Sequence, residues 1–187
     1  MPALIPRKFV IVTPQMSFQT TLGTRPERIT IAFVRVGVAL LWMQNVAWKV
    51  PPDFGQASKT GLWEWANKAI DYPVFPPYTW AVQNIVLPNF ALFGWLVLLI
   101  EGGLAAFLLV GFLTKFWAVV GLAQTMAITF SVLNAPNEWH WSYYLMFFVH
   151  LMLIVSAAGR SYGMDALVRK RIGSSPGRLS SLYLRLS

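Results

Sequence analysis

The chain has 187 residues, of which 56% are hydrophobic and only 12% charged, with a net charge of +8. Water-soluble domains carry about twice that charged fraction, so composition argues against a soluble globular protein. Cysteine is absent, which removes disulfides, thiolate nucleophiles, redox thiol pairs and iron–sulfur clusters ligated by the chain itself.

Residues 1–28 carry Pro2, Pro6, Pro14, Arg7, Lys8, Arg25 and Arg28 without an apolar run ending at a small-residue cleavage site. They read as a retained cytoplasmic tail rather than a signal peptide. Four apolar blocks follow, at 29–50, 90–112, 115–134 and 141–159. Each is about 20 residues, enough to cross the hydrocarbon core at roughly 1.5 Å per residue. The expected fold is therefore all-α, an integral membrane four-helix bundle forming one domain over 29–166.

The connection between the first two blocks is far longer than the usual link. Leu62, Trp63, Ala66, Ala69 and Ile70 fall near one face of a helix over 59–71, and 76–87 suits another short helix. These are expected to be interfacial helices in the loop outside the cytoplasm. Trp48, Trp63, Trp65, Trp80, Trp139 and Trp141 belong to the same side, where indoles form an interfacial belt. A cap over the bundle, or a docking face for a partner, is the alternative. Residues 167–187 read as a basic cytoplasmic tail, with Arg169, Lys170, Arg171, Arg178 and Arg185. With the basic N-terminal segment, Lys115 and Arg160, this distribution places both termini in the cytoplasm. Such basic segments beside a span meet anionic lipid headgroups in preference to nucleic acid.

Within the second block, "LLIEGGLAAFLLVG" holds one carboxylate, Glu101, too deep for its short side chain to reach water. It must be protonated, paired or beside water. Arg35 is the candidate partner, with bending toward the headgroups as its other option. When antiparallel directions are respected, Gln124 and His150 fall at similar depth. Arg35, Glu101, Gln124 and His150 thus form a candidate polar layer, either a structural lock between helices or a binding and proton-handling site. Gly102, Gly103, Ala105 and Ala106 beside Glu101, and Gly37 near Arg35, permit close helix approach. Haem is disfavoured because His140 and His150 lie about 15 Å apart on one helix. No dinucleotide fingerprint, phosphate-binding loop, zinc cluster or nucleophile elbow occurs; no metal site and no intrinsic cofactor are expected.

Three stretches carry a family resemblance: "RVGVALLWMQNVAWK" from Arg35 to Lys49, "EGGLAAFLLVGFLT" from Glu101 to Thr114, and "AAGRSYGMD" from Ala157 to Asp165. In their order and spacing over roughly 29–166 they resemble the DoxX/DoxD family of small bacterial and archaeal four-helix membrane proteins. That family is named for a subunit of a thiosulfate:quinone oxidoreductase. Matching positions are Arg35, Gly37, Lys49, Glu101, Gly102, Leu104, Gly111, Thr114, Gly159, Arg160 and Asp165.

The resemblance implies a multi-pass protein of a bacterial or archaeal cytoplasmic membrane that works with other subunits of a membrane complex. It supports a subunit that anchors partners and shapes a quinone or lipid pocket with Arg35, Glu101 and His150. A quinone carbonyl needs a hydrogen-bond donor on reduction, a role open to His150 or a protonated Glu101. Two alternatives stay open: a catalytic subunit oxidising a small sulfur donor, and a structural accessory of a respiratory or photosynthetic assembly. Membrane lipids are expected partners, nucleic acid is not, and a homo-oligomer is compatible with the sequence.

Overall fold

The computed structural model describes residues 23–172 and 177–187, and every described element is helical. The expected N-terminal tail lies largely outside the described residues. Helix α1 spans Arg25–Ala47. Its start is set by Glu27, whose carboxylate accepts the Thr24 backbone N–H at 2.7 Å, and by Pro26, tolerated where helical N–H groups have no partner anyway. The helix thus begins before position 29, taking in basic residues assigned above to the tail.

After α1 the chain turns through 48–60. Phe54, 1% exposed, plugs this loop into the bundle: a Cβ at Gly94 would come within 2.2 Å of its ring. Helix α2 spans Gly61–Asp71 and α3 spans Pro76–Ala81. A π-type turn over Val82–Val86 and a 3₁₀ turn over Leu87–Asn89 then lead directly into α4, Phe90–Val110. Pro88 accounts for the irregularity, since its ring clashes with the carbonyl four residues back and it lacks a donor.

Helix α4 ends at Gly111, whose φ of +70° suits glycine at a left-handed helix terminus. Helix α5 spans Thr114–Val132, α6 His140–Val155, α7 Met164–Ile172 and α8 Arg178–Leu186. The segment 167–187 is therefore not a plain tail. It completes α7 and supplies α8, whose Tyr183 hydroxyl donates to Asp165 at 2.6 Å.

Helix α4 packs on α1 and α5, and α5 packs on α6 and beneath α2, while α1 and α6 touch only sparsely. The core joins Val38, Ala39 and Trp42 to Leu104, Ala105, Leu108, Ala118 and Leu153. Three helical stretches are long and apolar enough to cross a membrane, Arg25–Ala47, Pro76–Val110 and Thr114–Val132; His140–Val155 is a shorter apolar helix. Large apolar side chains such as Phe33, Leu99 and Val155 stay 68–78% exposed, an outside suited to lipid and costly in water. The chain is an all-helical membrane protein.

The expected close packing holds at Gly103 and at Ala105, the latter 5% exposed, but not at the other small residues. Gly37 and Gly102 have open space where a Cβ would stand, and Ala106 is exposed. Close approach occurs where a glycine receives a ring. A Cβ would meet Trp117 at 2.3 Å from Gly103 and His150 at 2.3 Å from Gly121. Gly121→Ala is expected to push His150 out of place and cost about 1–3 kcal/mol, measured as a lower unfolding midpoint of the purified protein. A Gly102→Ala control should leave the midpoint unchanged.

Candidate functional site

The four polar residues expected to share one layer divide between two places. Glu101 sits roughly 16 Å along α4 from its first residue. It is 1% exposed, and its Oε2 accepts from Lys49 Nζ at 2.6 Å. Its Oε1 accepts from Gln124 Nε2 on α5 at 3.0 Å. The Lys49 ammonium also donates to the Asn45 carbonyl at 2.7 Å, in the last turn of α1, and lies 4.2 Å from the Trp48 ring centroid. One cation thus satisfies an orphaned helix-end carbonyl, a buried carboxylate and an indole face together. Lys49, not Arg35, is the partner of Glu101. Its long stem lets a residue just past the end of α1 turn inward, and the α1 terminus gives the charge a second reason to stay.

His150, fully buried, faces α1 across the bundle. Trp42 Nε1 donates to His150 Nε2 at 3.0 Å, while His150 Nδ1 lies 2.7 Å from the Met146 carbonyl. An indole offers only a proton and a carbonyl only a lone pair, so the imidazole is neutral with its hydrogen on Nδ1. Both ring nitrogens are occupied. His150 therefore orients Trp42.

Arg35 lies elsewhere, at the α4–α5 turn. Its Nη1 donates to the Leu108 and Leu109 carbonyls at 2.8 and 3.1 Å, covering the negative end of α4. Asp165 covers the positive end of α5: its carboxylate accepts the Leu113 and Thr114 N–H groups at 2.8 and 3.0 Å. The Asp165 N–H itself donates to the Gly111 carbonyl at 2.9 Å. Glycine is required at 159, where a Cβ would stand 2.0 Å from Asp165 Oδ2 and 2.2 Å from Thr114 Oγ1. Gly111, Thr114, Gly159 and Asp165 thus form one latch with Arg35 that clamps the turn. Arg160 donates to the Ser187 main-chain oxygen at 3.0 Å, and Leu104 is wholly core. Burial, then the Asp165 carboxylate, push the Tyr183 phenol above its ordinary range.

Lys49, Glu101, Gln124, Trp42 and His150 all line one cavity of about 870 Å³, whose remaining walls are mostly apolar. Helices α2 and α3 roof it. Tyr78 on α3 shares a 2.9 Å hydrogen bond with Ser131 on α5, and Asn134 donates to the Pro73 carbonyl at 2.8 Å. Lys68 on α2 lies 3.7 Å from Glu138, which also accepts the Tyr143 hydroxyl. The volume falls within the roughly 300–1,000 Å³ of small-molecule sites, and the lining follows their pattern of apolar walls with a few convergent polar groups. Lys49 has three N–H bonds: Asn45 and Glu101 engage two, and the third has only the Trp48 ring beside it. Among the described residues, no group of three or more His, Asp or Glu side chains is placed to hold a metal ion.

Neither the curated proteins nor the solved structures gave a match to this chain. A family model described as "TQO small subunit DoxD" matches residues 76–184. That stretch runs from α3 to α8 and includes Glu101, Gln124, His150 and Asp165 of the latch, while α1, with Arg35 and Trp42, and Lys49 just after it precede the match. Covering more than half of the sequence, the match establishes that the chain belongs to the DoxD family of membrane proteins.

Proposed function

We propose that the protein is the small membrane subunit of a thiosulfate:quinone oxidoreductase-type complex and that its cavity receives the quinone ring. In this reading α1, α4, α5 and α6 all cross the membrane, α2 and α3 lie over the outer end of the bundle, and both termini face the cytoplasm. The observation that carries it is the cavity of about 870 Å³ with its buried Lys49–Glu101–Gln124 floor. Its apolar walls suit a ring and the start of an isoprenoid chain. The Lys49 ammonium and the Gln124 amide supply donors where negative charge develops on a quinone oxygen during reduction.

Full reduction of a quinone takes two electrons and two protons. In the proposed complex, a partner subunit oxidising thiosulfate delivers the electrons. Both protons come from the aqueous phase. The Lys49 ammonium, hydrogen-bonded to the Glu101 carboxylate, hands one to the bound ring as charge builds there. The neutral amine left behind is reprotonated from water to deliver the second. Lys49 and Glu101 keep the quinone in register, and Trp42, held by His150, forms part of the wall against which it packs. Anchoring of the sulfur-oxidising partner is assigned to the same chain.

The test is saturable quenching of tryptophan fluorescence by a long-chain ubiquinone or menaquinone, with the purified protein in nanodiscs. Wild type should bind, and Glu101→Gln should weaken binding or the quinone-reducing activity of the assembled complex at least ten-fold while assembly persists. Equal binding by wild type and Glu101→Gln, with equal quinone reduction, would contradict a quinone site at this floor.

A further inference from the structure

The exposed residues that line the cavity point to a route into it. Of the residues lining it, those on α3, α4 and α5 are all buried or half-buried, and the exposed ones are Leu41, Trp48, Trp65, Trp139 and Leu145. Trp48 and Trp65 pack on each other at a ring separation of 6.4 Å, so two indoles stand across the flank between α1 and α2. What remains open lies between Leu41 on α1, 56% exposed, and the start of α6, where Leu145 is 50% exposed and Trp139, just ahead of the helix on the roof side, is 67% exposed. Helices α1 and α6 make little contact, and the Trp42–His150 hydrogen bond joins them at depth. On the roof side of that bond, the cap is fastened to α5 and to the α5–α6 loop through Tyr78–Ser131, Asn134–Pro73 and Lys68–Glu138. None of these contacts bridges α1 and α6.

We propose that the seam between α1 and α6, at and above the level of the Trp42–His150 bond, is a lateral portal through which an isoprenoid quinone passes between bilayer and cavity. This rests on the quinone reading of the cavity and adds its path. The ring moves in past Leu41 and Leu145 to the Lys49–Glu101 floor, and the apolar chain stays in the seam, trailing into lipid. Two features fit such cargo. The flanking side chains at the mouth are apolar, so a long hydrocarbon tail never leaves an oily surrounding. The polar groups sit at the far end, so the head alone meets donors. A water-soluble substrate would instead need an opening through the roof, which α2 and α3 cover.

The absence of cysteine makes a single-site block clean. Leu145→Cys in the full-length protein in nanodiscs is labelled with a bulky maleimide, and Val155→Cys serves as control. Val155 is on the same helix, 78% exposed, and not part of the cavity. Stopped-flow quenching of tryptophan fluorescence by a long-chain quinone is the readout. The labelled Leu145→Cys protein should take up quinone at least ten-fold more slowly than its unlabelled form, and the labelled Val155→Cys protein should differ less than two-fold from its own. A labelled Leu41→Cys protein, carrying the block on the opposite lip, should behave like labelled Leu145→Cys. Unchanged uptake with both lips labelled would overturn the portal while leaving the quinone site intact. Loss of saturable quenching already in the unlabelled wild type would overturn the quinone reading itself and, with it, the portal's cargo.

Discussion

Lys49→Met is expected to destabilise the folded protein by about 3–5 kcal/mol, read as a lower unfolding midpoint of the purified chain in detergent or bicelles. The substitution keeps most of the stem but strands the Glu101 carboxylate, 1% exposed, with only the Gln124 amide as partner. It also leaves the Asn45 carbonyl at the end of α1 without its cation. A buried ion pair yields little net stability when both members are present, because desolvating two charges offsets their attraction; removing one member leaves the other's desolvation uncompensated. The double replacement Lys49→Met with Glu101→Leu should therefore recover most of the loss. Recovery in the double variant would mean that the pair is retained for something other than stability. A single Lys49→Met variant as stable as wild type would contradict the pairing.

The second large effect lies at the other end of the bundle. Asp165→Ala removes the acceptor for the Leu113 and Thr114 N–H groups and for the Tyr183 hydroxyl. Orphaned buried donors cost about 1–3 kcal/mol each, partly relieved where water can enter, so a total of about 2–4 kcal/mol is expected. The loss should appear together with faster tryptic cleavage at Arg178 and Arg185 as α8 undocks. Because the folded-state Tyr183 phenol is held above its ordinary range by burial first and by Asp165 second, its contribution is complete below about pH 10. It is lost as pH rises through the elevated folded value. Tyr183→Phe should abolish that alkaline dependence and leave the cap on α5 in place. Cleavage kinetics of Asp165→Ala equal to wild type would contradict the latch.

How much of this was legible in the sequence depends on the residue. Apolar block length marked where α1, α4, α5 and α6 lie, because a span must satisfy its own backbone and announces itself by composition. Glu101 was legible for the same reason: a carboxylate in that surrounding needs a partner. The partner's identity was not. Depth along a straight helix favoured Arg35, whereas Lys49 lies past the helix end and reaches Glu101 only because its stem turns back past Asn45, a geometry that residue spacing does not encode. Trp42 gave no signal of its own, since one more aromatic in an apolar span looks like packing, yet it fixes the hydrogen placement on His150. The glycines divide in the same way. Gly111 and Gly159 appeared as motif positions, but only the neighbouring Arg35, Thr114 and Asp165 atoms explain why a Cβ is excluded there. Helix α8 was hidden because its basic composition suits a tail equally well; Tyr183 docking on Asp165 is a tertiary fact.

Photolabelling with an azido-quinone in nanodiscs, followed by peptide mapping, tests the central claim most directly. Adducts should concentrate on the cavity-lining residues Trp42, Asn45 and Trp48 at the end of α1 and Ser142, Tyr143, Leu145 and Met146 on α6, and should disappear when excess unmodified long-chain quinone competes. Labelling confined to outward-facing positions such as Phe33, Leu99 and Val155, undiminished by competitor, would contradict a quinone bound within the bundle.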